Sequence, residues 1–194
     1  METVFFSLVT KEPEEIRKSN IDGKLDNIVF MGMGEPMLNL ENIRKAISIL
    51  SDENGRNFAP RRITISTCGI INGIYDLADN GPHVRLAISL TTADVQLREK
   101  LMPVTKTNPL PKLKEAIRYF IKKTGKRCTL EAALIKDINT SEESKKNMID
   151  FAKDLDVHVN LIPWNKVAEL DFEEPTKKEC ENFASSLERK GINV

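Results

Sequence analysis

In NIVFMGMGEPMLN, residues 27–39, an apolar run reaches Met31, glycines follow at 32 and 34, and Glu35 and Pro36 stand where the chain should turn. Glycines behind a strand let the backbone approach a ligand closely, and a glutamate there supplies an anion suited to an ammonium group. The same pattern also makes an ordinary strand–helix turn with a solvated acid, so a short glycine motif decides little alone. Other polar residues stand behind other apolar runs: Ser66 and Thr67, then Ser89, Leu90 and Thr91, then Lys136, Asp137 and Asn139, and finally Asn160, Pro163, Trp164 and Asn165. The hydroxyls among them can donate to a ribose or carboxylate, or can satisfy free strand-end carbonyls. Trp164 reads as a core or lid residue, and Arg61 with Arg62 as a solvated edge before a strand. KKTGKR, residues 122–127, reads as a solvated helix end, and His83 and His158 as structural, since neither has an acid or cysteine at ligand spacing. Glu35, Glu131 and Asp137 are the acids near strand ends that could form an acid–base pair. Glu131 lies inside an apolar run, where it is either a paired interior charge or points to the solvent side.

The elements that must position these residues are legible. LDNIVFM, RITIS, VRLAISL, TLEAALI and VHVNLIP are short, continuous and rich in Val, Ile and Leu, the pattern of strands buried on both faces of a parallel sheet. Between them lie helix-length segments with apolar residues at threes and fours: LENIRKAISILSD, LPKLKEAIRYFIKK, SEESKKNMIDFAKDL and PTKKECENFASSLERK. Asn39 and Ser141 stand at helix starts, Thr176 with Glu179 forms a capping-box pattern, and Gly125 and Gly191 stand where helices should stop. About five strand–helix units result, preceded by a TVFFSLVT strand and a short KEPEEIRKS helix. The alternation implies an α/β fold of mostly parallel strands, doubly wound or an open partial barrel, with its chemistry at the carboxyl ends of the strands.

Bulk properties narrow the function classes. At 194 residues, with 40% hydrophobic and 30% charged side chains, the chain reads as one globular domain, and it shows no low-complexity linker or internal repeat. Its 29 basic and 29 acidic residues cancel, so the overall field does not draw it to nucleic acid or anionic membrane, and any RNA contact must be local. No apolar segment approaches the roughly 20 residues of a membrane span, and METVFFSLVTKEPEE has no basic start or cleavage site, so a cytoplasmic location is expected. Cys68, Cys128 and Cys180 lie 60 and 52 positions apart, matching no short-spaced metal or redox pattern; each reads as a reduced thiol in a packed interior.

Taken in order, VFMGMGEPMLN, RRITISTCGI, LAISL, REKLMPV and VNLIPWN closely resemble the ribosomal-RNA adenine C2 methyltransferases, radical-SAM enzymes some of which also modify transfer RNA. The resemblance runs from about Leu25 to the end of the chain. The C8 methyltransferases share much of it, but Pro36, Pro163 and Trp164 look more like the C2 enzymes. It implies an open partial TIM-type (βα) barrel in which Gly34 and Glu35 hold the amino-acid end of S-adenosylmethionine, with the ammonium facing the glutamate. Ser66, Ser89, Leu90, Thr91 and Asn165 complete that cofactor site by the same resemblance. Thr91 stands where the family usually has histidine, a position at which it still offers a hydroxyl or a backbone contact.

The resemblance further implies a four-iron four-sulfur cluster, radical methylation of C2 of an adenine in large-subunit ribosomal RNA, and a transfer-RNA substrate in some members. It also exposes departures. The CxxxCxxC cluster loop, the methyl-carrying cysteine in an A-C-G-Q context and the cysteine that resolves the protein–RNA adduct have no match here. The opening VTKEPEEI is similar to the segment behind the cluster loop, and KGINV to the start of the last strand. The expectation is therefore a single domain over residues 1–194, the central barrel portion truncated at both ends, without the N-terminal accessory domain and inactive alone. The alternatives are a non-catalytic SAM- or nucleotide-binding remnant of the same fold, and an unrelated α/β-barrel enzyme. An uncovered edge strand would also offer a route to a dimer.

Overall fold

The computed structural model describes residues 27–31, 34–55, 57–168 and 170–194. The opening strand and helix expected over TVFFSLVT and KEPEEIRKS lie outside the described residues, as does Gly32. Along the chain run β1 (Ile28–Phe30), α1 (Leu40–Leu50), β2 (Ile63–Thr67), α2 (Ile71–Asn80), β3 (Arg85–Ser89), α3 (Val95–Leu101) and α4 (Leu110–Thr124). They are followed by β4 (Cys128–Leu134), α5 (Glu142–Ala152), β5 (Val157–Pro163) and α6 (Lys177–Glu188). The strands form one sheet in the order β1-β2-β3-β4-β5, every neighbouring pair parallel. A sequential parallel order needs a crossover at every step, and right-handed crossovers lay the helices on one face. The result is the α/β sheet of an open barrel, as expected.

One expectation about the sheet is corrected. Burial of both faces holds at the middle of β2 and β3, where Ser66 and Ala87 are buried, but not in β4 and β5. In β4, Cys128, Leu130, Ala132 and Leu134 are buried while Thr129, Glu131 and Ala133 are only half-buried. The apolar set packs against Ile74, Leu77, Leu113, Ile117 and Phe120 of the helix layer. The alternate set forms the concave face, where register sets Ser89, Glu131 and Asn160 in one row and Ser66, Ala87, Thr129 and His158 in the next. Small side chains such as Ala87 and Ala133 on this face are what made the runs look continuously apolar.

Two helices escaped the periodicity reading. Over INGIYDLADN, α2 has no side-chain cap from Ile70; its first amide, Ile71 N, donates instead to Asn108 Oδ1 at 2.9 Å, a partner 37 residues away. At seven residues, α3 is too short for a periodic signal, and its Asp94 cap accepts from Leu97 N at 2.7 Å. The Thr176–Glu179 capping box forms reciprocally, Ser141 accepts from Ser144 N at 3.1 Å, and Gly125 closes α4 at φ 66°. Asn39 does not cap α1. A 3-10 turn over Pro36–Asn39 feeds that helix directly, and Asn39 Oδ1 accepts from the Asn42 side chain instead. Asn193 forms a parallel bridge with His158, so KGINV meets the sheet beside β5.

Candidate functional site

At the carboxyl end of β1, Gly34 sits at φ 130°, a backbone region that side chains rarely adopt, although a Cβ there would meet nothing within 4 Å. Conformation, not crowding, calls for glycine. The next residue, Glu35, caps the turn over Pro36–Asn39: its Oε1 accepts from Met37 N at 2.9 Å and its Oε2 from Cys68 N at 2.8 Å. The carboxylate thereby ties the β1 loop to the end of β2. An ionised carboxylate has about four acceptor sites, so capacity remains on both oxygens. On the adjoining strands, Ser66 Oγ and Ser89 Oγ both donate to Glu131 Oε2, at 3.1 and 3.4 Å. Met31, Gly34, Glu35, Pro36, Ser66, Thr67, Cys68 and Ser89 line an open cavity of about 120 Å³. Whole small-molecule sites span roughly 300–1,000 Å³, so this cavity suits one end of a ligand whose remainder lies in the open mouth.

Behind the cavity wall lies Arg98, fully buried on α3. It donates to Leu90 O at 3.0 Å, Thr105 Oγ1 at 2.5 Å, Cys68 O at 2.7 Å and Ser89 O at 3.4 Å. One cation thus gathers carbonyls from the ends of β2 and β3, and burial holds its pKa below the ordinary arginine value. Within REKLMPV nothing local marks this arginine as buried. Asn139, 2% exposed, performs a similar service for the next loop. It donates to Thr91 O at 3.1 Å and Ala133 O at 2.7 Å, and accepts from Ile135 N at 2.7 Å. Thr91 is held at φ 62°, costly for a β-branched residue, while Leu90 N and Thr91 N both donate to Glu131 O at 2.9 Å.

Four of the residues singled out from the sequence, Gly34, Glu35, Ser66 and Ser89, come together in the cavity lining. Leu90 and Thr91 follow Ser89 but do not line it; the Leu90 side chain is fully buried, so only its backbone could meet a ligand. Asn165 is exposed beyond β5 and is also outside the lining. Lys136 is engaged with Glu173 at 2.7 Å, and Asp137 is exposed at φ 57°, so no acid–base pair forms between Asp137 and Glu35 at this cavity. Trp164 meets Phe172 edge-on, with centroids 5.5 Å apart, and its backbone amide donates to Leu134 O at 2.9 Å.

The cysteines need one correction. Cys128 is buried as expected, and burial raises its pKa, but Cys68 and Cys180 are only partly buried. Cys68 lines the cavity. Desolvation first, then the hydrogen bond and charge of Glu35, push its thiol up to about 12, so it stays protonated and unreactive near neutrality. Among the described residues no three His, Cys, Asp or Glu side chains converge as a metal site would require, so no cluster ligand is assigned here. No helix among them is long and apolar enough to cross a membrane.

The sequence profile of the Radical SAM superfamily matches residues 4–150. The chain is 57% identical over 172 residues to the probable dual-specificity RNA methyltransferase RlmN of Treponema denticola, covering 89% of this chain and 50% of that protein. It is 42% identical over 169 residues to the protein of the same name in Clostridioides difficile, covering 87% of this chain and 49% of that one. The crystal structure of a radical SAM methyltransferase from Sphaerobacter thermophilus superposes with a TM-score of 0.87 at 36% identity, covering 93% of this chain and 53% of that one. Archaeal TYW1, at 17% identity and a TM-score of 0.60, shares the fold over 91% of this chain and 55% of its own. The chain spans about half the length of the curated relatives it matches. The resemblance carried by the strand-end motifs is borne out by these relatives. Members of the superfamily in general use S-adenosylmethionine with a four-iron four-sulfur cluster. With a profile that spans residues 4–150, and so β1 through β4 of the sheet, the chain belongs to the Radical SAM superfamily.

Proposed function

We propose that this chain provides the S-adenosylmethionine-binding portion of a cytoplasmic radical-SAM methyltransferase acting on C2 of an adenine in large-subunit ribosomal RNA, with transfer RNA as a second substrate. The observation that carries the reading is the crevice itself. Glu35 is held by two backbone amides beside Ser66 and Ser89, at the strand ends where the family's cofactor belongs. The similarity to proteins named dual-specificity RNA methyltransferases supports the reaction class.

In this reading Glu35 accepts from the ligand's ammonium, and Gly34 lets the backbone lie against its amino-acid end. Ser66 and Ser89 meet the nucleoside side, Leu90 and Thr91 contribute backbone groups, and Asn165 reaches in from beyond β5. S-adenosylmethionine supplies the methyl group when bound. Residues 1–194 act as one partial barrel domain that binds the cofactor without turning it over, since the cluster cysteines and the methyl-carrying cysteine implied by the resemblance have no match among them.

Calorimetric titration of the chain with S-adenosylmethionine, beside Glu35→Ala, tests the proposal. Saturable binding weakened on the order of tenfold or more by the substitution is expected, the scale of a charge-assisted hydrogen bond. A folded chain that binds nothing, or a Glu35→Ala variant that binds as well as the parent, would overturn it.

A further inference from the structure

Glu131 is a half-buried carboxylate on the concave face of β4, outside the set of residues that the family resemblance brings to the site. Register places it directly beside Ser89 on β3. It also reaches across β3 to Ser66 on β2, past Ala87, whose methyl group leaves the path clear. Both hydroxyls converge on one oxygen, Oε2, and Oε1 has no hydrogen-bond partner among the described residues.

The chemistry of that convergence is restrictive. An ionised carboxylate only accepts hydrogen bonds, and a serine hydroxyl has a single proton to give. Once Ser66 and Ser89 have turned their protons to Glu131, each presents only oxygen lone pairs to the cavity. The two serine oxygens and the remaining sites on Glu35 then face the cavity as acceptors, with the Glu131 carboxylate behind the serines and outside the lining. Such a wall suits the donors of a ligand, an ammonium or the hydroxyls of a ribose, and disfavours a carboxylate or phosphate, which would leave acceptor facing acceptor.

We propose that Glu131 is a positioning residue that fixes the hydroxyls of Ser66 and Ser89 as acceptors and so makes this wall selective for the hydrogen-bond-donating part of the cofactor. The inference rests on the S-adenosylmethionine reading above and adds the residue that sets the polarity of its site. Sequence considerations allowed the two serines to donate to a ribose or carboxylate; the geometry assigns their protons elsewhere.

The test is S-adenosylmethionine calorimetry on the full chain, on Glu131→Leu and Glu131→Gln, and on Ser66→Ala/Ser89→Ala with and without Glu131→Leu. Thermal unfolding is followed in parallel. Leucine removes the acceptor at similar size, and binding should fall on the order of tenfold or more. Glutamine keeps an acceptor oxygen without the charge and should recover binding to within about threefold of the parent. In the double-serine background Glu131→Leu should have less than about twofold further effect, because its hydroxyl partners are gone. A purely structural carboxylate would lower the unfolding temperature without this rescue and coupling. Parent-like binding by Glu131→Leu, a glutamine variant as weak as leucine, or additive losses in the serine background would each overturn the inference while the Glu35 reading stands. A folded parent that binds no S-adenosylmethionine would overturn both.

Discussion

Arg98 shows how much a single residue organises here. A fully buried guanidinium is expensive to desolvate, and its partners among the described residues are three carbonyl groups and one hydroxyl rather than a carboxylate. Those carbonyls belong to Cys68, Ser89 and Leu90, so the arginine closes the carboxyl ends of β2 and β3 from behind while the cavity opens in front. Replacing it by methionine, similar in length and apolar, removes the cation and takes the donors from Cys68 O and Thr105 Oγ1, while Leu90 O keeps its bond from Thr92 N. Arg98→Met should therefore cost about 3 kcal/mol in urea unfolding, and Arg98→Lys should recover only part of it, because an ammonium cannot span the same fork of acceptors. A loss below about 0.5 kcal/mol would show that water replaces the guanidinium without penalty. The sequence supplied the arginine without its environment, since burial of a charge depends on four partners drawn from three separate segments.

At the scale of elements, the turn that carries Glu35 is pinned by α2. A Cβ built on Gly73 would lie 2.6 Å from Met37 Cβ, close to the backbone of the Pro36–Asn39 turn, where no flexible end can swing aside. Alanine at this position gains about 1 kcal/mol of helix propensity but overpacks a tight contact, which typically costs about 1–3 kcal/mol. The clash should win. Gly73→Ala is expected to lower the unfolding temperature and, by shifting the turn, to weaken S-adenosylmethionine binding several-fold; Met37→Ala in the same chain, which keeps the clashing Cβ, should not restore the stability. Helix α2 was also the longest element that the periodicity did not reveal. Its first amide is satisfied by Asn108, far along the chain, and Gly73 serves an interhelical approach rather than a local turn. By contrast, α4 and α6 carry their stop and start signals, Gly125 and the Thr176–Glu179 box, within their own segments and were legible for that reason.

For the molecule as a whole, acid stability offers a direct check on how the helix layer is joined. Arg44 of α1 pairs with Asp76 of α2 at 3.0 Å, and also donates to Gly81 O and Asp76 O. The hydrogen bond from Arg44, followed by that from Asn80, lowers the Asp76 pKa from its ordinary 3.8, against a small opposing effect of burial. A depressed carboxylate stabilises the fold fully above its unfolded value, and that contribution is lost as pH falls through the lower folded value. The stability gap between the parent chain and Asp76→Asn should therefore be present at pH 7 and shrink below about pH 4, as read by urea unfolding across pH. Both partners are partly exposed, so the gap should also narrow with added salt. At this scale the sequence by itself determined the α/β class, the strand–helix order and the strand-end motifs that carry the family, because apolar periodicity, caps and glycine turns are local properties of the chain. Only the tertiary structure decided which strand-end residues meet. It brought Gly34, Glu35, Ser66 and Ser89 to one cavity, left Asn165 outside its lining, and set Cys68 and Glu131 within reach of the same groups. The physical reason is that a parallel sheet fixes its neighbours by register, and register is a relation between strands that no single strand contains.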